Sequence, residues 1–200
     1  MEQRHPLSDA QSGLWFAQRL DPGNPIYNTG QYVKIAGPLN IDAFREAVNT
    51  ALLEAPALSI RVVEDADGVW QTPGDVASLV VQDVSGATDP IAAAQEAMVR
   101  DSHTPLDPTR DALAAEILFV LGPSDFLWYQ RVHHLVIDGY GTALLTKRIC
   151  DLYASRVLGQ PAASSFGAYD AVLAEDAKYR ESSKWQQDRD FWLQEFADHP

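Results

Sequence analysis

The sequence predicts an α/β (α+β) sandwich, a mixed sheet flanked by helices. Three observations carry that prediction. Helix-period and strand-period apolar patterns alternate along the chain, turn residues punctuate the changes of period, and two aromatic-rich runs late in the chain form one hairpin. Ser8 with Gln11 three residues on makes a capping box, and Leu14, Trp15 and Leu20 keep helical spacing until Asp21-Pro22-Gly23 breaks it. Tyr27 to Ala36 reads as a strand through Tyr32, Val33 and Ile35, stopped by Gly37-Pro38. Asn40 caps a second helix with Phe44, Val48 and Leu52 on one face. Leu58 to Glu64 is expected as a strand, turned by Asp65-Ala66-Asp67-Gly68 into a partner through Val69 and Trp70. Leu79 to Val84 is a further short strand, and Pro90 opens a helix running to about His103. Ala112 to Leu121 and Phe126 to His133 are the hairpin strands, joined by Gly122-Pro123-Ser124-Asp125. A helix from about Gly141 to Leu158 follows, ended by Gly159-Gln160-Pro161. Phe166 to Phe196 reads as helix broken near Ser182-Ser183.

Composition narrows the function classes. The chain has 200 residues, 46% of them hydrophobic, with a net charge of −13. That charge argues against a nucleic-acid partner, which needs a basic face, and against an anionic membrane surface. No apolar run approaches the length of a membrane span, and Met1-Glu2-Gln3-Arg4-His5 leads into no apolar stretch, so no secretory signal is expected. A cytoplasmic protein is expected. The single cysteine, Cys150, is read as a buried, inert thiol.

The chemistry-bearing segment is Arg131-Val132-His133-His134-Leu135-Val136-Ile137-Asp138-Gly139-Tyr140-Gly141, where a strand ends and a helix begins. Neighbouring strand residues face opposite sides, so one histidine is expected inside and the other toward a cavity. The same opposition, with no further Cys or His nearby, argues against a metal site.

His-His, three residues, then Asp-Gly resembles the signature of nonribosomal peptide synthetase condensation domains. They belong to the superfamily of chloramphenicol acetyltransferase-like acyltransferases. Four further segments resemble that family in the same order: Leu7-Ser8-Asp9-Ala10-Gln11-Ser12-Gly13-Leu14-Trp15-Phe16, Asn24-Pro25-Ile26-Tyr27-Asn28, Leu58-Ser59-Ile60-Arg61-Val62, and Tyr179-Arg180-Glu181-Ser182 through Asp190-Phe191-Trp192. The likeness covers essentially all 200 residues and is especially close to condensation domains opening terminal modules of siderophore synthetases.

The resemblance implies an amino-terminal lobe over residues 1–200 and a chemistry of amide formation between a carrier-bound thioester and a carrier-bound amine. It implies catalytic roles for His134, as base or as orienting group, and for Gly139, whose N–H faces the oxyanion and whose lack of a side chain allows close approach and special dihedrals. His133, Asp138 and Arg61 are implied as support. The family places an arginine directly after the leucine of its Leu-Arg strand, where Ser59 stands here, so Arg61 is expected to pair with Asp138 instead. No directly bound cofactor is expected, only the phosphopantetheine arms of partner carriers. The implied partners are donor and acceptor peptidyl carrier proteins, a downstream adenylation domain and a carboxy-terminal lobe. From the motif's closeness to Met1, no preceding domain is expected, and the donor carrier is expected to dock from a separate protein. The lobe alone is expected to fold, to expose an apolar or aromatic face and to catalyse little or nothing. The histidines disfavour a cyclisation domain, whereas epimerisation shares this motif. A stand-alone acyltransferase using coenzyme A, and a non-catalytic partner-recruiting domain, stay open as alternatives.

Overall fold

Chain order runs β1 (His5–Pro6), α1 (Asp9–Leu20), β2 (Asn28–Ala36), α2 (Ile41–Leu53), a 3-10 turn (Pro56–Ser59), β3 (Ile60–Asp65), β4 (Gly68–Pro73), β5 (Leu79–Asp83), α3 (Pro90–Ser102), β6 (Ala114–Gly122), β7 (Asp125–His133), α4 (Gly139–Leu158), α5 (Tyr169–Arg180) and α6 (Ser183–Glu195). This computed structural model describes residues 4–163 and 166–197. It divides into two units, Met1–Phe166 and Gly167–Pro200.

The predicted hairpin is the spine of the first unit. β7 pairs antiparallel with β6 on one side and with β2 on the other, and β5 joins β6 in parallel, giving the order β2-β7-β6-β5. A parallel neighbour needs a crossover, and α3 between β5 and β6 supplies it. A second, antiparallel sheet has the order β1-β4-β3. The expected mixed sheet is therefore present, with this small sheet beside it.

Strand alternation decides what each face of the large sheet holds. Phe119, Leu127 and Tyr129 pack with Ala94 and Met98 of α3 on one face. On the other, Trp128 meets Phe44 of α2 edge-on at 5.1 Å between ring centroids. There α2 also buries Ala47, Val48 and Leu52, and α4 buries Leu145, Ile149 and Leu152. Arg148 of α4 is buried too, and its guanidinium forks onto both Glu54 carboxylate oxygens at 2.7 and 2.8 Å, tying α4 to the end of α2.

Two element boundaries differ from expectation. The stretch expected to begin as strand at Leu58 first makes the 3-10 turn, because Pro56 fixes its first step and the Ser59 hydroxyl donates back to the Pro56 carbonyl at 3.1 Å. The helix expected near Gly141 starts at Gly139, because Asp138 caps it. Cys150 is a correction: it lies exposed on α4, not buried. Partial desolvation and the neighbouring Asp151 carboxylate hold its thiol above the ordinary value, which keeps it a poor nucleophile.

The second unit is a helical pair. Ser182 caps α6 through a bond from the Trp185 N–H at 3.2 Å, and Tyr179 donates to Asp188 at 2.8 Å. Neither helix buries a residue, and Phe191, Trp192 and Leu193 are all more than half exposed. No helix among the described residues is long and apolar enough to cross a membrane.

One charge sits inside the main core. Glu116 of β6 is 1% exposed. It accepts from Trp128 Nε1 at 2.6 Å and Gln130 Nε2 at 3.0 Å. Burial nevertheless pushes its carboxyl up to about 7. The folded state thus holds the proton more tightly than the unfolded chain does. This stabilises the fold below the unfolded value near 4.5 and is lost as pH rises through about 7, a swing on the order of 3 kcal/mol. Glu116→Gln should therefore unfold at higher urea than wild type at about pH 8.5, with the gap closing toward about pH 5. A gap independent of pH would contradict the assignment.

Candidate active site

The parity of β7 sorts the motif before any chemistry is considered. Gln130 and Val132 lie on the α4 side of the sheet. Tyr129, Arg131 and His133 lie on the α3 side. His133, the last residue of β7, is 2% exposed. Its Nδ1 accepts the Leu135 N–H at 3.1 Å, so this nitrogen carries no proton and Nε2 does. Burial first, then His134 and Arg131, push its pKa down to about 4, keeping the ring neutral. Arg131 is also buried, held by Asp101 at 3.1 Å and the Ala112 carbonyl.

His134 is the first residue past the strand. Its N–H donates to the Tyr27 carbonyl at 2.8 Å, while its ring Nδ1 lies 3.3 Å from the Ile137 carbonyl. A carbonyl oxygen can only accept, so the neutral ring bears its hydrogen on Nδ1 and leaves Nε2 with a free lone pair. The two adjacent imidazoles are thus held in opposite tautomers. His134 lines a cleft of about 290 Å³ whose floor is Thr29, Gln31, Gln130 and Val132 and whose wall is Gly139 and Thr142. A larger cleft of about 690 Å³ between β2 and α3 shares Gly30 and Gln31 with it.

Distant segments hold the loop that carries His134. Gln11 closes the capping box of α1, and its Nε2 also donates to the Leu135 carbonyl at 3.3 Å and approaches Gln71 of β4 at 3.4 Å. Asn28 donates to the carbonyls of Ser102 and Thr104 at the end of α3. The opening segments thus touch the motif directly, through the Gln11 side chain on the Leu135 carbonyl and the Tyr27 carbonyl under the His134 N–H.

Asp138 is a helix cap. Its carboxylate accepts the Gly141 N–H at 2.7 Å, and its carbonyl accepts from the Thr142 N–H and hydroxyl, both at 2.9 Å. The expected pairing with Arg61 is corrected. The Arg61 guanidinium lies 3.3 Å from Asp75, because Arg61 emerges from the small sheet beside the Gly74-Asp75 turn. The strand that was to align it with Ser59 has not begun at Ser59. Arg61 does not line this cleft.

The special dihedrals expected of Gly139 are also corrected. Positive φ occurs at Gly37, Gly68 and Gly159, and Gly139 starts α4 with ordinary backbone. A methyl group on Gly139 would meet nothing within 4 Å, so what it contributes is open space at the cleft and the N–H of a helix's first turn, which has no partner within the helix. Gly141 carries the steric constraint instead. A Cβ there would stand 2.6 Å from Ile137 Cγ1 and 3.3 Å from the Asp138 carboxylate.

Sequence reasoning passed over Gln130, Gln31, Thr142, Gly141 and Glu116. Two signals were available: Gln130 stands four residues before His134 on the same strand parity, and Glu116 is a lone charge in an apolar run. Among the described residues no group of three or more His, Cys, Asp or Glu is gathered to hold a metal. Gly141→Ala is expected to cost about 1–3 kcal/mol of stability and Gly139→Ala less than about 0.5 kcal/mol, measured by chemical denaturation. The reverse order would show that the loop is built differently.

Comparisons with known proteins bear on the family and the fold. A family model described as Condensation domain matches residues 1–200. The dimodular nonribosomal peptide synthase of Bacillus subtilis (strain 168) is 46% identical over 98% of this chain, which spans 8% of that protein. Enterobactin synthase component F of Escherichia coli (strain K12) is 32% identical over 98% of the chain, which spans 16% of it. Among solved structures, the starter condensation domain of rhizomide synthetase RzmA superposes with a TM-score of 0.89 at 35% identity, over 96% of this chain and 48% of that one. A mutant of the same domain in complex with C8-CoA gives 0.90 at 34% identity, over 98% and 46% of the two chains. The chain thus spans less than half of each protein it matches here, and it belongs to the condensation-domain family of nonribosomal peptide synthetases.

Proposed function

We propose that this chain is the amino-terminal lobe of a condensation domain that joins a carrier-bound acyl or peptidyl thioester to the amine of a carrier-bound amino acid. The observation that carries the reading is His134, whose Nδ1 lies against the Ile137 carbonyl and whose ring lines an open cleft. The free Nε2 lone pair suits a proton acceptor. In the proposed step the amine nitrogen attacks the thioester carbonyl and Nε2 takes the proton released from nitrogen. The tetrahedral oxyanion is met by the N–H of Gly139 at the positive end of α4. Collapse to the amide expels the thiolate of the donor arm, which recovers the proton. His133 holds the loop, and Asp138 fixes the helix start from which Gly139 projects.

The phosphopantetheine arms arrive on donor and acceptor carrier proteins, so no cofactor belongs to the lobe itself. A carboxy-terminal lobe would complete the cleft, and an adenylation domain would load the acceptor carrier. Kinship with enterobactin synthase component F and vanchrobactin synthetase supports siderophore or related secondary-metabolite synthesis in the cytoplasm. The RzmA complex with C8-CoA favours a second reading of the donor, an acyl-coenzyme A in place of an upstream carrier.

The test is amide formation by the two-lobed protein, with an acceptor carrier loaded and the donor supplied either as a loaded carrier or as an acyl-coenzyme A. Mass spectrometry of the acceptor arm reads the product. His134→Ala should lower the rate roughly 10²- to 10⁴-fold with an unchanged unfolding midpoint, and a rate within twofold of wild type would remove the proposed role. The 200-residue chain alone should fold and form no amide, and turnover by it would overturn the two-lobed requirement.

A further inference from the structure

Three side chains on three strands form a row across the sheet: Gln31 of β2 stands opposite Gln130 of β7, which stands opposite Glu116 of β6. Side chains of directly paired residues share a face. The row therefore runs from the core, where Glu116 is 1% exposed, to the floor of the cleft beside His134, which Gln130 and Gln31 line. Each link is a hydrogen bond. Gln130 Nε2 meets Glu116 at 3.0 Å, Gln31 Nε2 meets Gln130 Oε1 at 2.8 Å, and the Thr146 hydroxyl of α4 meets the same oxygen at 2.8 Å.

The direction of this chain of bonds is set at its buried end. The Trp128 indole N–H can only donate and occupies one oxygen of Glu116 at 2.6 Å. Above its titration near 7, Glu116 is ionised and can only accept, so Gln130 must then turn its NH2 inward and its carbonyl outward. Gln31 then donates to that carbonyl, and the single hydrogen of the Thr146 hydroxyl is shared between it and the Thr142 carbonyl at 2.9 Å. With its NH2 spent inward, Gln31 has its own carbonyl oxygen left for the cleft.

From this row we infer that Glu116 is a positioning residue: acting through Gln130, it turns the Gln31 carboxamide so that its oxygen accepts an N–H from the substrate bound at His134, an amine or an amide of the carrier arm. This rests on the amide-forming reading above. None of the segments that carry the family resemblance contains Glu116, Gln130 or Gln31, and neither glutamine bonds to the loop or caps α4. The buried carboxylate would be a poor choice for a core that needed only shape, because a charge there is costly without a directed use. Its bonds to two neutral donors, Trp128 and Gln130, with no cation among the described residues in contact, match a polarity-setting role better than an ion pair.

Glu116→Gln tests the inference with almost no change of shape. Trp128 would hold the oxygen of the new amide, whose NH2 would then face Gln130 and reverse every bond in the row, leaving Gln31 with its NH2 toward the cleft. At about pH 8.5, above the titration of Glu116 near 7, kcat/KM for amide formation by the two-lobed protein should fall about ten- to a hundredfold. Adding Gln31→Glu should restore it to within about threefold, because a carboxylate accepts on both sides. A structural role for Glu116 gives no reason for rescue from a residue two strands away. Nuclear Overhauser contacts read the polarity without turnover. The Gln130 NH2 protons should lie near the Trp128 indole proton in wild type and near the Thr146 hydroxyl side in Glu116→Gln. Wild-type kcat/KM in Glu116→Gln, failure of the double variant to recover, or an unchanged Gln130 contact pattern each overturns the inference. If His134→Ala abolishes amide formation while Glu116→Gln is silent, only the row is refuted. If His134→Ala is itself silent, the role given to His134 falls; if the wild-type two-lobed protein forms no amide, the amide-forming reading falls and the Overhauser contacts still decide the polarity.

Discussion

The bond from the Leu135 N–H to His133 Nδ1 is the interaction on which the site depends. It turns the chain out of β7 at the residue after the strand ends, and it does so with a ring that burial keeps neutral. A protonated His133 would present a second N–H to the Leu135 N–H, and the turn would lose its acceptor. Everything downstream inherits that geometry. His134 falls outside the strand, the Ile137 carbonyl comes back to its Nδ1, and Asp138 arrives where it can start α4. The position of an imidazole in a cleft is thus secured by an imidazole that never reaches the cleft.

The second organising constraint is the row of polar side chains across β2, β7 and β6. Most of the face beneath α2 and α4 is apolar, with Trp128, Phe44 and Leu118 buried in it. A glutamate and a glutamine in such a face need complete pairing, and each has it. The core and the cleft are therefore connected through hydrogen bonds that cannot be rearranged one at a time.

Most of the fold was legible in the sequence because its signals are local. The Ser8-Gln11 capping box, the Asn40 cap, the Pro123-Ser124 turn and the apolar periodicities depend on neighbours a few residues apart, and all form as read. That the two histidines part was legible from strand parity, although His134 stands just past the strand, where the turn held by the Leu135 N–H and His133 Nδ1 places it. What escaped depends on contacts between distant segments. Ser59 and Arg61 look like one strand until Pro56 bends the chain, and Arg61 then meets Asp75. Gly141 looks incidental until Ile137 is folded against it, and Gln130 becomes part of the site only once β2 brings Gln31 alongside. Cys150 was misplaced because α4 hides a narrower stripe than its apolar content implies, with Arg148 taking an inward position.

The alternation of β7 also separates two kinds of evolutionary freedom. Its odd-numbered residues, Leu127, Tyr129, Arg131 and His133, are committed to α3 and the loop, where exchange unsettles the whole molecule. A side chain that borders the cleft outside the polar row, such as Thr29, can drift with the molecules the cleft receives at little cost to the scaffold. A lineage built this way can diversify its products by altering a few lining positions, which leaves inheritance of the architecture largely independent of inheritance of selectivity.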